Sequence, residues 1–260
     1  MKQIESRNNP IIKRAIKAIN NPNSENLIVV EGYKLLNEAL KSGAKPEMLF
    51  INHKPDKLVS SKERVNYDCI TYIISRALMR DLSTVQTPSE IIAFLTPAVS
   101  PKIEEIIEKS KMLVVLDRLQ DPGNIGTIMR TSEAMGVSAI ILLKGCCNPN
   151  NHKVIRAAMG SSFRLPVVRN VDEQSLFTLL NKNGYMTICA DMEGTILKNF
   201  KFAEKSVLFM GQEGQGLSDN IIANCKSRVA IPMCGQVESL NVATSTAICL
   251  YEWARLKIEN

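Results

Sequence analysis

Six short apolar runs in the second part of the chain leave little freedom for its fold. They are MLVVLD (112–117), AIILL (139–143), LPVVR (165–169), MTICA (186–190), VLFM (207–210) and VAIPM (229–233). Between most of them lie segments of helical pattern. NIGTIMRTSEAM is one, closed by Gly136 as a glycine just past the helix end, and the terminal NVATSTAICLYEWARLK is another. Near-continuous apolar strands alternating with helices predict an α/β fold, with a six-stranded, mostly parallel sheet covered on both faces. In such sheets ligands bind beyond the carboxyl ends of the strands. The loops to inspect are therefore 117–124, 144–151, 191–195, 211–217 and 233–240.

The chain before this region is patterned differently. Residues 1–97 read as a smaller α/β domain. A basic helix over about 10–19 precedes the strand NLIVVEG, a helix over about 33–42 and the strand EMLFIN. The strand-like CITYIIS, a helix over about 76–83 and EIIAFLTP complete it. Residues 98–110, AVSPKIEEIIEKS, form a charged, partly helical linker, and 111–260 form the second domain. A length of 260 residues suffices for two cores.

No apolar run reaches the roughly 18 residues of a membrane span, and MKQIESRNNP has no secretory signal, so a cytoplasmic protein is expected. The seven cysteines form no CxxC pair and only His53 and His152 could join them, so no zinc site is expected. Cysteines inside apolar runs read as small core residues in a reducing compartment. The net charge of +6 permits a polyanionic partner without requiring one. It is concentrated at the start, where Lys2, Arg7, Lys13, Arg14 and Lys17 face Glu5 alone. By itself that cluster reads as a solvated helix face. On the terminal helix, Val242, Thr246, Cys249, Trp253 and Leu256 form one stripe, which suits a core face or a subunit interface.

The stretch VLFMGQEGQGLS (207–218) looks at first like a phosphate cradle. Its glycines follow G-x-x-G-x-G, not the dinucleotide pattern G-x-G-x-x-G, and no GK[ST] follows. Glu213 also argues against it, because a carboxylate about 4 Å from a phosphate costs on the order of 4 kcal/mol at an effective dielectric near 20. Gly211, Gly214 and Gly216 still signal turns with positive φ or a close backbone approach, and a neutral or cationic ligand fits better. Two further polar loops follow other strands. RLQDPGNIGTIMR has Asn124 opening a helix as its cap and Arg130 in the second turn; in CGQVESLNVATS, Ser239 and Asn241 flank Leu240. Each Asn or Ser alone reads as a cap. Their convergence at the strand ends of one domain is more than capping predicts.

These three loops resemble the motifs of the SpoU/TrmH-type RNA ribose methyltransferases of the SPOUT superfamily. Asn124, Gly126, Arg130 and Gly136 look like motif 1, the stretch from Phe209 to Ser218 like motif 2, and the stretch from Ile231 to Asn241 like motif 3. SRNNPIIKRAI and VVEGYKLLNEAL resemble the L30-like substrate-binding domain that precedes many members, although NNPNSENL lacks the bases often found there.

The resemblance implies a 2′-O-ribose methyltransferase that uses S-adenosylmethionine, releases S-adenosylhomocysteine and needs no metal. It implies a C-terminal trefoil knot and a homodimer to which the terminal helix contributes. By family position, Gly211, Ile231 and Leu240 would hold the cofactor through backbone groups. Arg130 would act in the partner's active site, Asn124 and Glu213 would pair near the substrate ribose or fix the motif 2 loop, and Ser239 and Asn241 would line the target pocket. Arg7, Lys13, Arg14 and Lys17 become candidates for RNA phosphate contacts. The resemblance points to large-subunit rRNA as target, with tRNA, a resistance methyltransferase or a non-catalytic assembly factor as alternatives.

Overall fold

The computed structural model describes residues 1–22, 25–52, 69–99, 101–212, 214–237 and 239–258. The chain divides into two compact units, residues 1–99 with 150–156, and residues 100–149 with 157–260.

The first unit contains β1 (Lys2–Ile4), α1 (Pro10–Asn20), β2 (Ile28–Glu31), α2 (Tyr33–Lys41), β3 (Lys45–Ile51), β4 (Ile70–Ile74), α3 (Arg76–Leu82) and β5 (Ile91–Thr96). Its sheet runs β1-β4-β3-β5-β2, with β5 antiparallel to both neighbours and the other pairs parallel. β1 was not evident in the sequence, because three residues at a sheet edge leave no periodicity to read. Asn9 caps α1 by accepting from Ile11 N at 2.9 Å, and Pro10 starts it. Ile12, Ala15 and Ala18 turn inward against Phe50, Phe94, Leu78 and Leu82. The opposite face carries Lys13 and Lys17, so the helix is amphipathic as its sequence requires.

The second unit opens with α4 (Ile103–Lys109), inside the expected linker, and β6 (Met112–Leu116). Along the chain then come α5 (Pro122–Ala134), β7 (Ala139–Leu143), α6 (His152–Ala158), most of which belongs to the first unit, α7 (Ser161–Arg164), β8 (Val167–Val171), α8 (Glu173–Lys182), β9 (Met186–Ile196), β10 (Ser206–Met210), α9 (Asp219–Asn224), β11 (Ser227–Ala230) and α10 (Val242–Ile258). The sheet order is β11-β9-β10-β6-β7-β8, and every pair is parallel. β6, β7 and β10 are buried throughout, as strands covered on both faces must be. Leu113, Val115, Ile141 and Phe209 pack with Leu176 and Phe177 of α8 and Ile221 of α9. Phe209 and Phe177 stack at 5.1 Å. α10 packs against α5.

Three expectations shift here. Residues 191–195 are not a loop: β9 continues to Ile196, and its far end pairs with Val229 and Ala230 after a register shift. A Cβ on Gly194 would lie 2.6 Å from the Arg228 carbonyl carbon, so the backbones can meet there only at a glycine. β11 stops at Ala230, ahead of Pro232, which has no N–H to donate. β8 starts at Val167, one residue beyond Pro166, whose carbonyl accepts from Ile140 N at 3.0 Å.

Candidate active site

The loops after β10, β6 and β7 lie beyond the same end of three neighbouring strands. The central one begins at Asp117, whose N–H donates to Met210 O at 2.9 Å and extends the sheet by one bond. The residue is 4% exposed. Asp117 Oδ2 accepts from Ser218 N at 3.2 Å and from Arg118 Nη2 at 3.0 Å. Arg118 sits at φ 52°, and its Nη2 donates to Gly216 O at 3.3 Å. On the other side, Cys147 N donates to Leu119 O at 2.8 Å and Cys146 Sγ lies 3.2 Å from Leu116 O. Burial pushes the Cys146 thiol up to about 11, so it stays uncharged.

α5 is capped by Asp121, which accepts from Asn124 N at 2.7 Å, with Pro122 in the first turn. The cap expected at Asn124 therefore belongs to Asp121, and the Asn124 side chain is left for other work. Its Oδ1 accepts from Asn241 Nδ2 at 3.0 Å. Asn241 is itself the cap of α10, its Oδ1 accepting from Ala243 N at 2.9 Å and Thr244 N at 3.3 Å. One amide thus ties the first turn of α5 to the first turn of α10. Arg130, further along α5, is exposed, and its guanidinium makes no hydrogen bond or ion pair with the described residues.

The glycine-rich loop folds onto itself. Gly216 N donates to Gln212 O at 2.9 Å, and Gly216 has φ 67°. A Cβ on Gly211 would stand 2.2 Å from the Gly216 carbonyl carbon and from Leu217 N. The close backbone approach expected at Gly211 is therefore to its own loop. Gly211, Ile231 and Leu240 are half-buried, and Ser239 is exposed. Glu213 lies outside the described residues.

The structure thus joins Asn124 directly to Asn241. It shows no bond from either to Arg130 or Ser239. Asp117 and Arg118 were missed by sequence reasoning, although a carboxylate closing five apolar residues was a usable signal.

Three of the four candidate N-terminal cations are paired. Arg7 Nε is 3.3 Å from Asp81, Arg14 bridges Glu25 at 3.0 Å and Glu47 at 2.6 Å, and Lys17 meets Glu25 at 3.0 Å. The Arg14 and Lys17 bonds hold the Glu25 carboxyl below its usual range. Lys13 is exposed, with no partner among the described residues.

The profile of the SpoU rRNA Methylase family matches residues 111–251, and that of the MRM3-like substrate binding domain matches residues 9–93. The chain is 31% identical over 254 residues to the 23S rRNA (guanosine(2553)-2′-O)-methyltransferase RlmP of Bacillus subtilis, covering 96% of this chain and 98% of that one. It is 33% identical over 260 residues to an uncharacterized tRNA/rRNA methyltransferase of Synechocystis, covering 97% and 93%. The crystal structure of an AdoMet-bound rRNA methyltransferase from Sinorhizobium meliloti superposes with a TM-score of 0.86 at 27% identity, over 99% of this chain and 98% of that one.

Proposed function

The chain belongs to the SpoU rRNA methylase family and is an S-adenosylmethionine-dependent RNA methyltransferase, and we propose that it methylates a ribose 2′-hydroxyl of large-subunit ribosomal RNA. The observation that carries this reading is the Asn241–Asn124 bond of 3.0 Å, which couples the motif 3 and motif 1 segments at the carboxyl end of the sheet. The 2′-O-methyltransferase activity in the name of the Bacillus subtilis relative supports the ribose as target.

The residues present suit the cofactor. Gly211, Ile231 and Leu240 are uncharged and half-buried, which favours an adenosine edge beside a cation and disfavours a phosphate. Bound there, S-adenosylmethionine supplies an electrophilic methyl group on a sulfonium. This chain then has two tasks: holding the hydroxyl in line and letting its proton leave. Asn124 and Asn241 fix the separation of the two loops. Ser239, exposed beside them, offers its hydroxyl to the target nucleotide. Glu213, outside the described residues, is assigned to the hydroxyl-side chemistry by its family position alone.

Arg130 is a poor base, since a guanidinium stays protonated. It clamps the adjoining RNA phosphate and orients the ribose, and the hydroxyl proton passes to that phosphate or to water. Its lack of a partner among the described residues suits a homodimer in which each Arg130 serves the neighbouring copy. The knot belongs to the same proposal: the return of the chain from the edge strand β11 to pack α10 on α5 supports it. No helix among the described residues is long and apolar enough to cross a membrane, and the reading places the protein with its RNA in the cytoplasm.

Mapping 2′-O-methylation over total RNA from cells with and without the gene tests the assignment. Loss at a nucleotide of large-subunit rRNA is expected; loss confined to tRNA, or no loss, overturns the target. In vitro, Arg130→Lys should bind RNA measurably and lose most of kcat, by about 100-fold. RNA affinity unchanged in Arg130→Ala would sink the clamp.

A further inference from the structure

We infer that Asp117 and Arg118 form a clasp that holds the 211–218 loop in the shape the methyl donor requires, which makes them positioning residues for cofactor binding. The inference rests on the methyltransferase reading above.

Three observations lead to it. The first is the saturation of a buried carboxylate. Asp117, 4% exposed, is bonded to Ser218 N on one side and to the Arg118 guanidinium on the other. A buried carboxylate so placed must be paired, and its partners here are the loop and the residue that grips the loop. The second is the backbone of Arg118. At φ 52° it occupies the left-handed region, where glycine fits freely and a side chain is disfavoured. If only the turn mattered, glycine would serve; an arginine there means that its side chain is used. The third is the place where the side chain acts. Arg118 Nη2 reaches Gly216 O at 3.3 Å, and Gly216 is the residue against which Gly211 is pressed. The clasp therefore grips the glycine-rich loop at Gly216 and Ser218, opposite the glycine assigned to the cofactor wall.

The core beneath does not need this clasp. Leu116 and Met210 are buried, and the sheet bond from Asp117 N to Met210 O is made by backbone alone. Gly145 leaves room for the arginine stem, since a Cβ there would lie 3.3 Å from Arg118 Cγ. The strained residue and its ion pair thus sit on the rim, at the end of the sheet where ligands bind in α/β folds.

The test uses the full-length protein and its Arg118→Gly, Arg118→Lys and Asp117→Asn variants. Arg118→Gly relaxes the backbone, which offsets part of the cost of leaving the Asp117 carboxylate to Ser218 N alone, so its Tm should fall by no more than about 5 °C. Its Kd for S-adenosylhomocysteine by calorimetry, and its KM for S-adenosylmethionine, should rise about tenfold. The KM for RNA should not move, nor should kcat at saturating cofactor by more than about threefold. Arg118→Lys should recover part of the affinity, because an ammonium lacks the planar fork of a guanidinium. Asp117→Asn, which keeps an acceptor for Ser218 N and loses the ion pair, should fall between parent and Arg118→Gly. Unchanged S-adenosylhomocysteine affinity in Arg118→Gly overturns the clasp, as does an affinity that returns to the parent value at temperatures well below the variant's Tm. If the parent protein itself fails to bind S-adenosylhomocysteine, the methyltransferase reading fails, and the clasp with it.

Discussion

At Asn241 one side chain does two jobs that can be separated. Its oxygen caps α10, and its nitrogen donates to Asn124. Asn241→Asp keeps the capping oxygen and loses the donor. Its Tm should stay within about 2 °C of the parent, while methyl transfer falls about tenfold or more. Asn241→Ala removes both and should lose about 1–2 kcal/mol of stability in denaturant titrations. If the Asp variant is as active as the parent, the bond to Asn124 has no part in catalysis. The cap was legible in the sequence because it is local, an Asn just ahead of a helix. The bond was not, because it joins positions 117 residues apart. Asn124 shows the converse: it too resembled a cap, but Asp121 three residues earlier takes that place. At Gly211 the sequence suggested a turn or a close approach of backbone to a ligand, and only the tertiary structure shows the approach to Gly216 and Leu217.

Among the elements, α10 shows how far a stripe can be read. Val242, Thr246, Cys249, Trp253 and Leu256 suited a core face or a subunit interface; the first four are buried within the single chain, with Trp253 3% exposed, and Leu256 is half-buried. The helix returns from β11 to pack on α5 and covers that face itself. A periodic apolar stripe says that a face is covered and is silent about what covers it. Trp253→Ala should therefore cost about 3–5 kcal/mol, read as a Tm loss independent of protein concentration. A loss that grows on dilution would return the stripe to the interface. β9 teaches a related lesson. Asp191 and Glu193 make its far end look like a loop, but pairing with β11 across a register shift keeps it a strand. Polar residues mark exposure, and exposure does not exclude a ladder.

Across the whole molecule, the basic excess of the first unit is smaller in effect than in count. Arg7, Arg14 and Lys17 are committed to Asp81, Glu25 and Glu47, whereas Lys13 has no partner among the described residues. Surface pairs are worth little to stability, but they reduce the field an RNA meets. Lys13→Glu should lower RNA affinity and reduce the slope of log K against log salt by about one. Lys17→Ala, whose charge Glu25 already balances, should change the slope by less. Equal changes would mean that RNA phosphates displace the acidic partners.

The sequence by itself determined the class of fold, most of its strands and helices, and the three polar loops. Strand and helix follow from local periodicity, and caps and turns from residues a few positions apart. It also pointed to the family through residues that lie within those loops. Only the tertiary structure decided which groups meet. The Asn124–Asn241 bond, the Asp117–Arg118 grip on Gly216 and Ser218, and the burial of Trp253 all join segments distant along the chain. Such contacts depend on the order in which strands pair and on where the helices return. Those choices are settled by packing over the whole sheet, and no single stretch of sequence records them.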